Sequence, residues 1–177
     1  MSRDGLKEKL KTVAIGGVFF ALAIVLSIVE GFIPSPMNGV KLGLSNIVVM
    51  YSLFFMRKRD AATIALLKGL FTFLLKGPTS GILSLSGGLM SVAVMSVLIF
   101  FSSGKISYLL ASVCGAVTHN LGQFVVASMI LGTPLWYYLP VLLFSGVAAG
   151  VATSVLLRVT LPALGKLKTV KDKGFKK

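Results

Sequence analysis

The chain has 177 residues, 55% of them hydrophobic and only 13% charged, and its 18 Lys and Arg residues outnumber 5 Asp and Glu. This composition excludes a soluble globular protein and indicates one all-α membrane domain of about six spans, since each span needs roughly 20 residues. The basic residues flank apolar segments, a pattern that indicates membrane topology and a lipid bilayer partner, with no nucleic acid.

The predicted elements alternate apolar runs with short basic or glycine- and proline-containing connections. Six spans are predicted, over residues 12–29, 41–56, 61–76, 82–101, 106–131 and 139–161. In the first span, Gly17 and Ala21 form a small-xxx-small pair, which lets a second helix approach closely. That helix belongs either to a partner subunit or to this chain's own bundle. Residues 30–40 contain two prolines and two glycines and predict a loop.

Charge predicts the orientation of the bundle. With both termini cytoplasmic, all but three of the 18 Lys and Arg residues lie on the cytoplasmic side. The exceptions are Lys41 and Lys76, which fall outside, and Lys68, which lies within a span. The predicted organisation is a basic cytoplasmic lead (1–11), a six-helix membrane domain (12–161) and a basic cytoplasmic tail (162–177), in a multi-pass protein of the cell (plasma) membrane.

The fifth predicted span carries three polar side chains near its middle. At about 100° per residue, Gln123 lies some 40° from His119, and Asn120 about 60° from Gln123, so the three line one stripe. Polar groups at membrane depth usually face a cavity or another helix. The stripe therefore predicts one wall of a binding pocket, with helix–helix hydrogen bonding as the alternative.

Lys68 is the strongest single indication of a site, because a lysine at mid-span is costly. It must snorkel, lose its proton or meet a group brought from outside, and the polar stripe is expected to supply its hydrogen-bonding partner. One face of the third span carries Lys68, Thr72 and Lys76, in order toward the predicted outer surface. Lys41 and Asn46 begin the second span at that level. A basic, hydrogen-bonding pocket favours an anionic or polar small molecule, although Lys41 and Lys76 singly fit snorkelling equally well.

The same residue inventory contains no catalytic set. It has no paired aspartates for magnesium on a diphosphate, no phosphate-cradling glycine loop with its lysine, and no nucleophile–histidine–acid group. We therefore predict a binding protein, with no enzyme activity, no cofactor and no metal. The predicted substrate-binding residues are Lys41, Asn46, Lys68, Thr72, Lys76, His119, Asn120 and Gln123.

Three segments carry a resemblance to a known family. The resemblance rests on GVKLGLSN (39–46), LSLSGGLMS (83–91) and GAVTHNLGQ (115–123), in that order. In these segments the sequence resembles the Gx transporter family, also described as heptaprenyl diphosphate synthase component I. That family is similar in size and six-helix layout to the substrate-binding S components of energy-coupling factor (ECF) transporters. The resemblance covers nearly the whole chain from the first span to the sixth.

The resemblance to S components implies a bundle that captures a substrate from outside and joins a transmembrane coupling subunit and two ATPase subunits. ATP hydrolysis would then occur in those partners. The coupling face of S components carries an alanine-x-x-x-alanine pattern, which Gly17 and Ala21 match in spacing but not in the first residue. The loop 30–40 would cap the substrate.

The synthase description implies an alternative function, a membrane component of heptaprenyl diphosphate or quinone precursor synthesis that grips a prenyl diphosphate. A diphosphate made in the cytoplasm would be expected at the basic cluster 57–59 and not at Lys68. The paired acidic motifs that prenyl chain elongation requires are absent from the sequence.

Overall fold

Helices make up most of the described part of the chain. The computed structural model describes residues 3–32, 45–56, 58–102, 106–133 and 136–164. Within these ranges the elements, in order, are α1 (Arg3–Glu30), α2 (Asn46–Phe55), α3 (Lys58–Lys76), α4 (Pro78–Phe101), α5 (Tyr108–Leu131), a 3-10 helix (Trp136–Tyr138) and α6 (Leu139–Leu164).

Helices α3 to α6 pack as a row in which each helix runs antiparallel to the next, with glycines where the backbones approach most closely. The close pairs are Gly81 with Phe73 and Gly69 with Leu85 between α3 and α4, Gly115 with Met95 and Gly87 with His119 between α4 and α5, and Gly146 with Val117 and Gly150 with Val113 between α5 and α6. A Cβ added at any of these glycines would lie 3.1 Å or less from the neighbouring helix. Small residues thus set the helix spacing, as expected where packing in lipid depends on close backbone approach.

Helix α2 lies in the interior, and α1 covers it from one side. Val48, Val49 and Met50 of α2 are buried in the main apolar core. The ring of Phe19 on α1 packs 4.9 Å from that of Tyr51. The other face of α1 is exposed, so α1 is a peripheral helix held along one stripe.

The helix ends differ from the predicted ends mainly where the chain is charged. The helix α1 begins at Arg3, whereas the predicted span begins at 12, and α3 begins at Lys58 instead of 61. Lysine, glutamate and leucine are strong helix formers, so charge marks where the apolar run ends and not where the helix ends. The helix α4 begins at Pro78 instead of 82, because proline is tolerated in the first turn.

Four of the described helices are long and apolar enough to cross a membrane, and they contain Thr12–Val29, Pro78–Phe101, Tyr108–Leu131 and Trp136–Val159. The ten residues of α2 reach about 15 Å at ~1.5 Å per residue, half of a hydrocarbon core. The helix α3 has the length but carries charge at both ends and at Lys68. The helical, membrane-type fold is confirmed, while the count of six spans and the cytoplasmic termini stay predictions.

Candidate binding site

Lys68 lies inside the protein, midway along α3. Its side chain is 2% exposed, and its Nζ donates a 2.8 Å hydrogen bond to Oδ1 of Asn46 at the start of α2. The ammonium does not reach the protein surface, so snorkelling does not explain it. The sequence predicts Asn46 in the same pocket but predicts the partner of Lys68 on α5, whereas this hydrogen bond joins α3 to α2.

The amide of Asn46 is oriented by the same hydrogen bond. Because Oδ1 accepts from the ammonium, the other end of the amide presents N–H groups. Nδ2 is buried and has no hydrogen-bond partner among the described residues. A buried N–H left without an acceptor costs about 1–3 kcal/mol. The pair thus presents donors, an arrangement suited to an acceptor-rich or negatively charged group.

The other residues predicted on this face divide between two environments. Thr72, one turn beyond Lys68, is buried as well. Lys76, a further turn along, is exposed, and its Nζ donates to the backbone oxygen of Ser27 on α1 at 3.2 Å. The reason is the drift of about 40° per four-residue step, which over two steps turns Lys76 toward α1. Lys41 lies outside the described residues.

His119 and Gln123 form a second buried polar pair, on α5. Gln123 Nε2 lies 2.8 Å from His119 Nε2, across one helical turn. With the amide in this orientation its nitrogen donates and the imidazole Nε2 accepts. The ring packs against Gly87 of α4, where a Cβ would lie 2.8 Å from Nδ1. The histidine therefore depends on the glycine opposite for its space.

Asn120 faces a different neighbour from His119. Its Nδ2 donates to the backbone oxygen of Leu142 at 2.8 Å and to Ser145 Oγ at 3.2 Å, both on α6. The predicted stripe on α5 is thus divided between two interfaces, because its edges are about 100° apart. For Asn120 the geometry matches the alternative prediction, hydrogen bonding between helices.

The two buried pairs lie at one height in the bundle. Leu85 of α4 packs against the backbone of α3 at the residue after Lys68. The next residue, Ser86, donates through Oγ to the backbone oxygen of Gly122 at 3.4 Å, just before Gln123. The antiparallel register therefore sets Lys68 and Gln123 level with each other, on helices that both flank α4.

Two contributors to the site are absent from the predicted set. Gly87 makes room for His119, and Ser145 accepts from Asn120. The Gly87–Gly88 pair in SLSGG indicates that another helix approaches closely. It does not indicate which side chain occupies the space beside the glycines. Ser145 carries no comparable signal, because one serine in an apolar helix is common.

A shallow cavity of about 440 Å³ lies along the first turns of α6. Its lining consists of Pro140, Val141, Phe144, Ser145 and Ala148. None of the predicted substrate-binding residues lines it, and its walls are apolar. This cavity is therefore separate from the donors around Lys68.

Comparison with protein-family models matches residues 19–160 to the family described as heptaprenyl diphosphate synthase component I. The chain belongs to this family. The match extends from α1 to α6 and includes all three sequence segments that carry the resemblance, which confirms it for this family. No curated protein and no solved structure matches the chain. The likeness of component I to ECF S components stays a prediction.

The chemistry that the chain offers at the described site is hydrogen-bond donation, from the Lys68 amino group and the Asn46 amide. The buried polar side chains that the structure describes include no aspartate or glutamate. Across the same residues, no three His, Cys, Asp or Glu side chains come together as a metal-binding group. The arrangement can therefore bind and orient an acceptor, but the described groups include no carboxylate base.

Proposed function

We propose that the chain is the membrane-embedded, substrate-binding subunit of an ECF-type uptake transporter in the cell membrane. Its ligand is an anionic or polar small molecule bound against Lys68 and Asn46. The observation that carries this proposal is the buried Lys68–Asn46 pair, whose amide Nδ2 lacks a partner among the described residues. Both groups are directed by one hydrogen bond, so the donors are positioned before any ligand arrives.

Burial of the ammonium supports a functional role over a structural one. A charged group inside a membrane bundle is costly, and such groups usually mark a substrate or ion pathway. A leucine or methionine at position 68 would fill similar volume without that cost. An anion at this place would form charge-assisted hydrogen bonds with Lys68 and accept from Asn46.

The pair on α5 supports selection for a polar ligand. His119 and Gln123 are buried level with Lys68, and their hydrogen-bonding groups hold each other in fixed orientation. In the proposal these side chains, with Thr72, form the uncharged part of the pocket. The predicted set also includes Lys41, Lys76 and Asn120. Of these, Lys76 forms a hydrogen bond to α1 and Asn120 forms hydrogen bonds to α6.

The exposed face of α1 supports attachment to a second membrane subunit. Gly17 and Ala21 are exposed, and apart from the nearby backbone of α1 itself no described atom lies within 4 Å of the position that a Cβ of Gly17 would occupy. Packing inside the chain's own described bundle therefore does not use this pair. In the proposal it receives a helix of the transmembrane coupling subunit, which in turn joins two ATPases.

The test measures the small molecules that co-purify with the protein. Wild type, Lys68→Met and Arg158→Met are purified side by side, and their extracts are compared by mass spectrometry. Arg158 is an exposed basic residue on α6, so its replacement removes the same charge away from the site. We expect one anionic compound with wild type and Arg158→Met, reduced at least tenfold with Lys68→Met. Equal recovery from all three would rule out this site.

The family description is the basis of a second candidate, a membrane component that holds a prenyl diphosphate for a synthase. The anion would then be expected at the start of α3, where Lys58 and Arg59 are exposed. Prenyl-transfer activity reconstituted with a soluble partner, lost without this chain and weakened by Arg59→Gln but not by Lys68→Met, would favour this candidate over the first.

A further inference from the structure

One end of the α3–α4 hairpin brings exposed basic and aromatic side chains together. Lys58 and Arg59 lie in the first turn of α3, and Phe100 and Phe101 end α4. The antiparallel register of the two helices places them at the same end of the bundle. We call these four residues the basic–aromatic patch.

Lys58 is held in place within the patch. Its Nζ donates to the backbone oxygen of Ser96 at 3.3 Å and lies 5.7 Å from the centre of the Phe100 ring. These two contacts, one hydrogen bond and one cation–π interaction, fix the ammonium over α4. A lysine tethered in this way loses less side-chain entropy on binding an anion than a free surface lysine does.

The aromatic half of the patch is largely exposed. Phe100 is 72% and Phe101 79% exposed, and their rings meet edge to face at 5.7 Å. Both close a helix that is long and apolar enough to cross a membrane. They therefore belong where a membrane-spanning helix leaves the hydrocarbon, beside the glycerol and headgroup region of the lipid.

We propose that the basic–aromatic patch is a binding site for the headgroup of an anionic phospholipid. The phosphate lies between Lys58 and Arg59, and the first part of an acyl chain covers Phe100 and Phe101. Charge complementarity and the position at the end of a candidate span select this occupant. Asp60, in the same turn, is half-buried, so the exposed side chains described in this turn are basic.

This site is distinct from the proposed pocket in position and in chemistry. Lys68 lies ten residues further along α3, about 15 Å at ~1.5 Å per residue, and is buried. The patch is exposed and pairs charge with aromatic rings. The inference therefore does not depend on the transport function.

The experiment measures lipid binding to the full-length protein by native mass spectrometry. The probes are phosphatidylglycerol and phosphatidylcholine with identical acyl chains, presented at equal concentration. The site variant is Lys58→Gln/Arg59→Gln, and the matched control is Lys7→Gln/Arg158→Gln, which removes the same charge from exposed positions of α1 and α6. A melting curve of each variant establishes that the protein is folded.

We expect wild type and the control to prefer phosphatidylglycerol, and the site variant to lose about tenfold or more of that preference. Phe100→Leu, which keeps the apolar volume but removes the ring, should lose a smaller part. Equal losses in the site and control variants would overturn the proposal in favour of diffuse electrostatic attraction. If Lys58→Gln/Arg59→Gln does not fold, Phe100→Leu decides, because an unchanged preference there also overturns it.

A further arm distinguishes a membrane lipid from a phosphorylated metabolite. Farnesyl diphosphate and inorganic phosphate are added as competitors to wild type loaded with phosphatidylglycerol. We expect neither to displace the lipid at equimolar concentration. Displacement by farnesyl diphosphate alone would overturn the phospholipid assignment and support the synthase-type function instead.

Discussion

Helices α1 and α5 are both long and apolar enough to cross a membrane, yet their surroundings differ. Within the candidate spans, 17% of α1 is buried inside the protein, against 50% of α5. No other described helix lies within 4 Å of the position that a Cβ of Gly17 on α1 would occupy, whereas Gly115 and Gly122 of α5 lie directly against α4. The mean hydropathy of the α5 span is lower than that of the α1 span, so the less apolar of these two helices is the interior one. Between these two helices, polar side chains and glycines distinguish the interior one.

The largest effect is expected from adding a side chain to the interior helix. Gly122→Leu would place a Cβ 3.1 Å from the Cα of Gly87 and 3.2 Å from the backbone oxygen of Ser86, which cannot move without shifting α4. We expect destabilisation of about 3 kcal/mol or more, near the upper end for overpacking. The measurement is the melting temperature in detergent by size-exclusion fluorescence. An unshifted melting curve would mean that α4 and α5 are not in contact here.

An intermediate effect is expected from the polar pair of α5. Gln123→Leu removes the group that bonds to His119 Nε2, and we expect a loss of about 0.6–2 kcal/mol. The double variant His119→Leu/Gln123→Leu should be more stable than the sum of the two single variants predicts, because each single variant already removes the hydrogen bond that the two side chains share. Simple additivity in this double-mutant cycle would show that the two side chains act independently.

The smallest effect is expected on the peripheral helix. Gly17→Leu places new atoms into open space beside α1, so the melting temperature of the isolated protein should stay within experimental error of wild type. It serves as the matched control for Gly122→Leu, since both replace a helical glycine by the same side chain. A comparable loss of stability in both variants would remove the distinction between the two helices.

The helical fold and most helix ends could be predicted because local signals encode them. Gly132, with a φ of 63°, ends α5 at the predicted residue, since a left-handed residue cannot continue a helix. The start of α1 at Arg3 could not be predicted from hydropathy. Charged residues with high helix propensity continue the helix past the apolar run, and hydropathy does not measure helix propensity.

The candidate site could be predicted in composition but not in pairing. Lys68, His119 and Gln123 stand out because polar groups are rare in apolar helices, and their burial agrees with that reasoning. The bond from Lys68 to Asn46 joins two residues that are 22 positions apart on different helices, and no periodicity within one helix predicts it. The same holds for Gly87, whose role depends on which helix lies opposite.

The short length of α2 has an electrostatic consequence for Lys68. Because α2 begins at Asn46, its N-terminal end lies beside the ammonium, and a helix N-terminus carries roughly half a positive charge from its aligned peptide dipoles. The Lys68 ammonium and the positive N-terminus of α2 are thereby held close together, in a protein interior that screens charge poorly. If the proposed function holds, the bound anion relieves this repulsion as well as forming new bonds, so the ligand-bound protein should melt at a higher temperature than the free one.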